Sequence, residues 1–386
     1  MSRHMGSCHA APVPLRLLTL LVGSSVAACA PTETAPALHI FDGATMGTTY
    51  AVRVVTADTW DQPRRDRIRD LIQAALDDVE SKMSHYRSSS ELSRFNQTRA
   101  TAPFPVSRET FDVVRHAYQV SELTGGALDV TVGPLVNAWG FGPVEPDTLP
   151  PDAALLARLR DHMGYWKLEL DPVASTLRKT DPELECDLSA VAKGYGVDRV
   201  GEVLLEEGVM RFMVEVGGEI VAVGLNQQGG PWRIAIERPT MEGGAQRVVL
   251  LSSHAMATSG DYRNVLEVEG RLFSHTIDPR TGWPVAHQLA SVSVIAELCV
   301  VADGLATALQ VLGPDDGYAL AVERGWAALF LVRDATGAIS EAMTPAFEAL
   351  LDAVTLVPVG RLLETESPAL PFPPEEGRAE GHGLLD

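Results

Sequence analysis

The chain has 386 residues, 46% of them hydrophobic, and sets 31 Lys plus Arg against 51 Asp plus Glu, a formal net charge of -20. That length supports a sizeable buried core, and the charge excludes a basic-groove polynucleotide binder, so no nucleic acid partner is expected. A small anion would be repelled too, unless a metal or a local cationic site intervenes.

The chain begins like a targeting segment. Arg3 and Arg16 precede the apolar run "LLTLLVGSSVAAC", which is too short to span a bilayer and ends in small residues. "VAAC" fits a bacterial lipobox, which makes residues 1–28 a lipoprotein signal peptide and Cys29 the lipidation site. Residues 29–37, with "APTETAPA", read as a tether. The expected location is the periplasmic side of a bacterial membrane, the inner one, through that lipid anchor. Cys186 and Cys299 are too few and too far apart for a disulfide framework or a zinc pattern, and read as buried small hydrophobes.

"LHIFDGATMGTTYAVRVV" alternates as two strands around a glycine turn. Residues 63–83 form an amphipathic helix with Ile68, Ile72, Leu76, Val79 and Met83 on one face. "HYRSSSELSRFNQ" reads as a polar loop in which Tyr86 could stack on a planar ligand. Ser107 caps a second helix that stops at Thr124-Gly125-Gly126. "ALDVTVGPLVNAWGFGPVEP" reads as a strand entering a Gly/Pro-rich loop. There Gly140 and Gly142 let backbone approach a ligand, and Trp139 offers an apolar face or serves the core. "YWKLELDPVASTLRKT" suggests a hairpin.

In "DLSAVAKGYG", Asp187 and Ser189 stand where a helix should begin, and Lys193 follows one turn in. Free amides, the helix dipole and the lysine together suit an anion. Strand signals dominate from Phe212 to Val300, and a helix is expected over about 302–311, then helix, strand and helix. On that first helix Asp303 and Thr307 are four residues apart and share a face. A carboxylate and a hydroxyl there can give two hard oxygens to Mg²⁺ or Ca²⁺. In "HTIDPRTGWPV", His275 is a candidate general base and Asp278 a turn cap. Residues 359–386 form a Pro-rich acidic tail that reads as disordered. Helices and strands intersperse without strict βαβ alternation, so the class is α+β.

In this order the segments "MGTTY", "SHYRSSSELSRFN", "GALDVTVGPLVNAWGFGP", "DLSAVAKGYGVD", "VEVGGEI", "ATSGDYRN", "SHTIDPRTGWPV" and "ADGLATAL" resemble the ApbE-type FAD:protein FMN transferases, from about Phe41 to Val354. The resemblance implies an ApbE-like fold over 38–358: mixed sheets with flanking helices, in two closely packed subdomains with an FAD cleft between them. It implies Mg²⁺ on the pyrophosphate of FAD, transfer of FMN to a Thr or Ser hydroxyl, and release of AMP. The acceptor would be a flavoprotein subunit of a respiratory or electron-transfer complex. Alternatives are an FAD pyrophosphatase giving FMN and AMP, or a flavin-binding lipoprotein without turnover. By the same resemblance Met46, Tyr86, Ala138, Trp139, Gly140, Asp187, Lys193 and Ile277 contact FAD. Asp303, Thr307 and the backbone carbonyl of Ala190 hold the metal, His275 and Asp303 are catalytic, and Arg263 touches the acceptor or a phosphate.

Overall fold

The alternating N-terminal segment folds as a hairpin in the computed structural model, which describes residues 35–352 apart from 145, 147, 148, 241, 242, 262–264 and 269. The lipobox with Cys29, the tail over 359–386 and Arg263 lie outside the described residues. Strands β1 (Ala37–Thr45) and β2 (Thr48–Thr56) pair antiparallel in unbroken register, closing with Thr45 opposite Thr48. The connecting Met46 and Gly47 both have positive φ, 47° and 71°. Such a two-residue turn matches the twist of paired strands.

Helix α1 (Gln62–Met83) starts where Asp61 accepts the amide hydrogen of Arg64, and buries Ile68, Ile72, Leu76, Val79 and Met83 as its periodicity requires. The serine-rich segment after it is not a loop throughout. Ser90 caps a short helix, α2 (Glu91–Gln97), that buries Leu92 and Phe95. Two apolar residues three apart are too weak a pattern to stand out among serines.

A small sheet gathers β3 (Phe104–Pro105), β4 (Leu168–Asp171) and β5 (Thr176–Lys179) in the order β3-β5-β4. Ser107 caps α3 (Arg108–Leu123) as expected. The strand expected in "ALDVTV" does not form. Asp129 takes the amide and hydroxyl of Thr131 at 2.8 and 2.7 Å and the amide of Tyr165 at 2.9 Å. A buried carboxylate thus satisfies backbone that a sheet would otherwise pair, and Pro134 opens a short helix, α4 (Gly133–Ala138). Helix α5 (Ala153–Asp161) follows, capped by Asp152.

Helix α6 (Ala192–Glu206) leads into β6 (Phe212–Val216) and β7 (Glu219–Val223), then the hairpin β8 (Trp232–Glu237) and β9 (Ala245–Leu251), and then β10 (Ser253–Gly260). Two short hairpins come next: β11 (Val265–Val268) with β12 (Arg271–Ser274), and β13 (Ile277–Asp278) with β14 (Trp283–Pro284). Strand β15 (Leu289–Ala296) precedes α7 (Cys299–Arg324), and β16 (Ala327–Arg333), β17 (Ile339–Met343) and α8 (Pro345–Asp352) complete the described chain. Helix α7 absorbs the two helices expected there. It breaks at Gly313 (φ 83°, ψ -174°), ahead of Pro314.

Eight strands make the central sheet, in the order β1-β2-β6-β7-β10-β15-β16-β17. The expectation of mixed sheets narrows, since every pairing among the described residues is antiparallel. Helices α1, α6 and α7 pack on one face, burying Val52, Val54, Val214 and Val221 with Ile72 and Leu204. The β8–β9 hairpin and α8 cover the other face through Trp232, Ile234, Val249 and Phe347. Strand β15 is therefore buried along nearly its whole length. No helix among the described residues is long and apolar enough to cross a membrane.

Candidate active site

The site is built where α6 crosses α7. The crossing is so close that a Cβ at Gly194 would lie 2.4 Å from the carbonyl oxygen of Cys299 and 2.9 Å from the Cβ of Asp303, so only glycine fits. The amide hydrogen of Gly194, which a continuous helix would direct at the Ala190 carbonyl, donates to Asp303 Oδ2 at 3.0 Å. The N-terminus of α6 is thus an anion site, as the sequence suggested, but it holds the protein's own carboxylate. Asp187 and Ser189 do not cap α6, which has no side-chain cap at Val191. Asp187 instead accepts the amide hydrogen of Ser189 at 2.8 Å, forming the turn before the helix.

Asp303 is 3% exposed on a helix whose buried residues are mostly alanine, leucine and valine. Burial raises its carboxyl above the usual range, against the pull of Lys193 and the Gly194 amide. Lys193 Nζ lies 2.8 Å from Glu219 Oε1 and 3.7 Å from Asp303 Oδ1. Burial alone would lower the lysine's pKa, but the two carboxylates outweigh it and hold the ammonium above its ordinary value. Burial raises Glu219 as well, and its Oε2 has no hydrogen-bond partner. The lysine side chain keeps 31% exposure against 4% for each carboxylate, so it is the member a ligand can reach.

One turn along α7, Thr307 Oγ1 lies 3.4 Å from Ser259 Oγ near the end of β10. Between Asp303 and Thr307, Gly304 lets α7 approach the turn before α6, where an added Cβ would meet Val191 Cγ1 at 3.2 Å. Among the described residues no three His, Cys, Asp or Glu gather as a metal site. The available donors are instead the Asp303 carboxylate, the Thr307 hydroxyl and the Ala190 carbonyl, whose helical donor is diverted to Asp303. Few protein oxygens around a single carboxylate suit Mg²⁺, which is commonly completed by water and substrate phosphates. These residues therefore fit the expected ion.

A second group borders the crossing. Glu80 on α1 accepts the backbone amide of Met46 at 2.5 Å and the hydroxyl of Thr45 at 3.3 Å, and its other oxygen pairs with Arg87. One carboxylate so ties the strained β1–β2 turn to the segment carrying Tyr86. The Met46 side chain lies over α6, 2.8 Å from where a Cβ at Gly196 would be. Tyr86 is 64% exposed, its ring 4.3 Å from that of His85. His85 Nδ1 is 3.2 Å from Asp187 Oδ1 and 3.4 Å from Ser189 Oγ.

A third group is reached through α4. Asp187 packs against its first residue, Gly133, and Trp139 stands at its far end. Trp139 is fully buried, donates Nε1–H to the Gly282 carbonyl at 2.9 Å, and has its ring centroid 5.2 Å from those of Phe273 and Trp283. Ile277 is buried in the same cluster with Leu135, Leu156 and Met163. The Trp139 indole and the Ile277 side chain therefore serve the core, while Ala138 is half-buried and Gly140 exposed. His275 is half-buried, its ring 6.3 Å from Phe141. Asp278 is the turn cap it resembled, taking the amide of Arg280 at 2.9 Å within the β13–β14 hairpin.

The structure thus gathers Lys193, Asp303 and the turn at 187–191 at one crossing, with Thr307 one turn on and Met46, Tyr86 and Asp187 beside it. It joins Trp139, Ile277 and His275 in a separate cluster. Sequence reasoning missed Glu219, Glu80 and His85. Glu219 carried a signal, an acidic residue entering a strand straight after Gly217-Gly218. An apolar groove lined by Ile295, Val301, Leu305, Trp326 and Leu350 carries none of these residues.

The ApbE family profile matches residues 46–330. An FAD:protein FMN transferase of Vibrio cholerae is 44% identical over 330 residues, covering 84% of this chain and 94% of that protein. One from Haemophilus influenzae is 40% identical, covering 87% and 97%. Among solved structures, the flavin transferase ApbE from Vibrio cholerae superposes with a TM-score of 0.74 at 42% identity, covering 81% of this chain and 99% of that one. The flavinyl transferase ApbE of Pseudomonas stutzeri, in its apo form, gives 0.75 at 39%, covering 82% and 98%. The α+β fold, the ordered motifs and these likenesses agree: the chain belongs to the ApbE family.

Proposed function

We propose that this protein transfers the FMN half of FAD to a Thr or Ser hydroxyl of an acceptor protein and releases AMP. The observation that carries the reading is the charge count at the α6–α7 crossing. One ammonium, Lys193, faces two carboxylates, Asp303 and Glu219. With both ionised the crossing is net negative, so it attracts a cation and repels a bare pyrophosphate. A divalent ion held by Asp303, Thr307 and the Ala190 carbonyl reconciles an acidic protein with an anionic substrate. When bound, Mg²⁺ supplies neutralisation of charge on the pyrophosphate and on the leaving phosphate.

The chain's own residues do the rest. The exposed ring of Tyr86 and the Met46 turn offer surfaces for the flavin, and Lys193 reaches a phosphate oxygen. The acceptor hydroxyl oxygen bonds to the FMN phosphorus while the bond from that phosphorus to the bridging oxygen breaks. The electron pair leaves with AMP, and the hydroxyl proton passes to a base, for which the candidate is His275 in the neighbouring Trp139–Ile277 cluster. The "VAAC" segment supports a lipid anchor at Cys29 and a place on the periplasmic side of the membrane, where the acceptor would be a subunit of a respiratory or electron-transfer complex.

The test mixes the protein with FAD, Mg²⁺ and an acceptor domain bearing a target threonine. Flavin fluorescence that stays with the acceptor in SDS is the expected result. Free FMN and AMP without labelled acceptor would replace the transferase with a pyrophosphatase, and unchanged FAD would reduce the protein to a flavin binder. Asp303→Ala should abolish labelling.

A further inference from the structure

Helices α6 and α7 each lack a side-chain cap of their own, at Val191 and at Leu298. Each is capped by the other. Asp198 on α6 accepts the amide hydrogens of Cys299 and Val300, the first two residues of α7, at 2.8 and 2.9 Å, one on each carboxylate oxygen. Asp303 on α7 accepts the amide of Gly194 in the first turn of α6 at 3.0 Å. In each helix the amide given and the carboxylate offered in return lie one turn apart, Gly194 with Asp198 and Cys299 with Asp303. The helices exchange caps across the contact that Gly194 makes possible.

This exchange constrains the site. Each Asp198 oxygen accepts one of the first two amide hydrogens of α7, so Asp198 pins the start of α7 in both position and rotation. Asp303 stands one turn further on, with Oδ2 engaged by Gly194 and Oδ1 turned toward Lys193. A rotation of α7 that broke the Asp198 bonds would swing the Asp303 carboxylate with it.

We propose that Asp198 is a positioning residue for the transfer reaction: it fixes the seat of α7 on α6, and with it the direction in which Asp303 presents its carboxylate to a divalent cation. This rests on the reading of Asp303 as a metal ligand. Asp198 itself bonds backbone amides of α7 and stands outside the expected ligand set.

The test uses the full chain without FAD. Mn²⁺ affinity is measured by EPR titration. Amide hydrogen exchange is followed by mass spectrometry in peptides covering 192–196 and 298–302. Wild type is compared with Asp198→Ala, Asp198→Asn and Asp303→Ala. In Asp198→Ala, exchange should rise in the 298–302 peptide and also around Gly194, whose acceptor has moved. The Mn²⁺ dissociation constant should grow about tenfold, as for other residues that orient a ligand. Asp198→Asn keeps one acceptor oxygen and should fall between. Faster exchange at 298–302, with Gly194 protection and Mn²⁺ affinity both at wild-type levels, would overturn the proposal. If the alanine variant does not fold, the asparagine variant decides by the same two readouts. Failure of the underlying metal reading looks different: Asp303→Ala would bind Mn²⁺ as tightly as wild type, and exchange at Gly194 would then decide the positioning role alone.

Discussion

Lys193 is the residue on which the electrostatics of the crossing turns. Removing it leaves Asp303 and Glu219 buried side by side without their shared counter-ion. Breaking a buried pair by deleting one partner typically costs about 3–5 kcal/mol, less where one member reaches solvent. Lys193 is partly exposed, so Lys193→Met should lower stability by about 2 kcal/mol in urea denaturation. Added Mg²⁺ should recover part of that loss, because the ion replaces the missing positive charge. Asp198 gives a prediction in pH. Burial pushes its carboxyl up from the ordinary 3.8 to about 7, against the pull of two amide hydrogens. The folded state therefore holds a proton that the unfolded state has released, and the stability this contributes is complete below about pH 4 and gone above about pH 7. Asp198→Asn lacks this contribution. The stability difference between wild type and variant should shrink as pH rises from 5 to 8, measured as the change in unfolding free energy at each pH.

Among the elements, the β1–β2 turn and the α6–α7 crossing carry the candidate site, each depending on a feature that local sequence shows only in part. The positive φ of Met46 is costly for a residue with a side chain, about 1–2 kcal/mol, and Glu80 offsets it by binding the Met46 amide. Glu80→Gln should loosen the turn and the Arg87 segment together. FAD affinity, read by flavin fluorescence quenching, should fall about tenfold, a loss of about 1.4 kcal/mol, while the melting temperature moves little. At the crossing, Gly194→Ala places a methyl group against backbone and forces the helices apart. Overpacking of this kind costs about 1–3 kcal/mol, and both melting temperature and Mn²⁺ affinity should drop. The hairpin, α1 and α3 were legible because their patterns repeat every two residues or every 3.6. Helix α2 and the turn around Asp129 were not, because capping serines and a buried carboxylate override a weak local pattern.

For the whole molecule, a net charge of -20 means that substrate binding works against a repulsive field. With divalent ions removed by EDTA, FAD should bind weakly, and added monovalent salt should strengthen binding by screening the repulsion. With Mg²⁺ present the salt dependence should flatten or reverse, and a titration at three ionic strengths would show it. The antiparallel sheet supplies the rigid floor for this chemistry: α6 and α7 pack on one face, and the β8–β9 hairpin with α8 closes the other.

The sequence by itself determined the elements with strong periodicity, the class of the fold and the sign of the field, because each is written in neighbours a few positions apart. It pointed to Asp303 through the oddity of a carboxylate on an apolar helix face. Only the tertiary structure decided that Asp303 caps α6, that Glu219 shares Lys193, that Asp198 caps α7 and that the Trp139 indole belongs to the core. The bonds joining Asp303 to Gly194 and Asp198 to Cys299 span 109 and 101 residues. Pairings of that kind follow from which chain segments meet in space, and spacing along the chain carries no record of it.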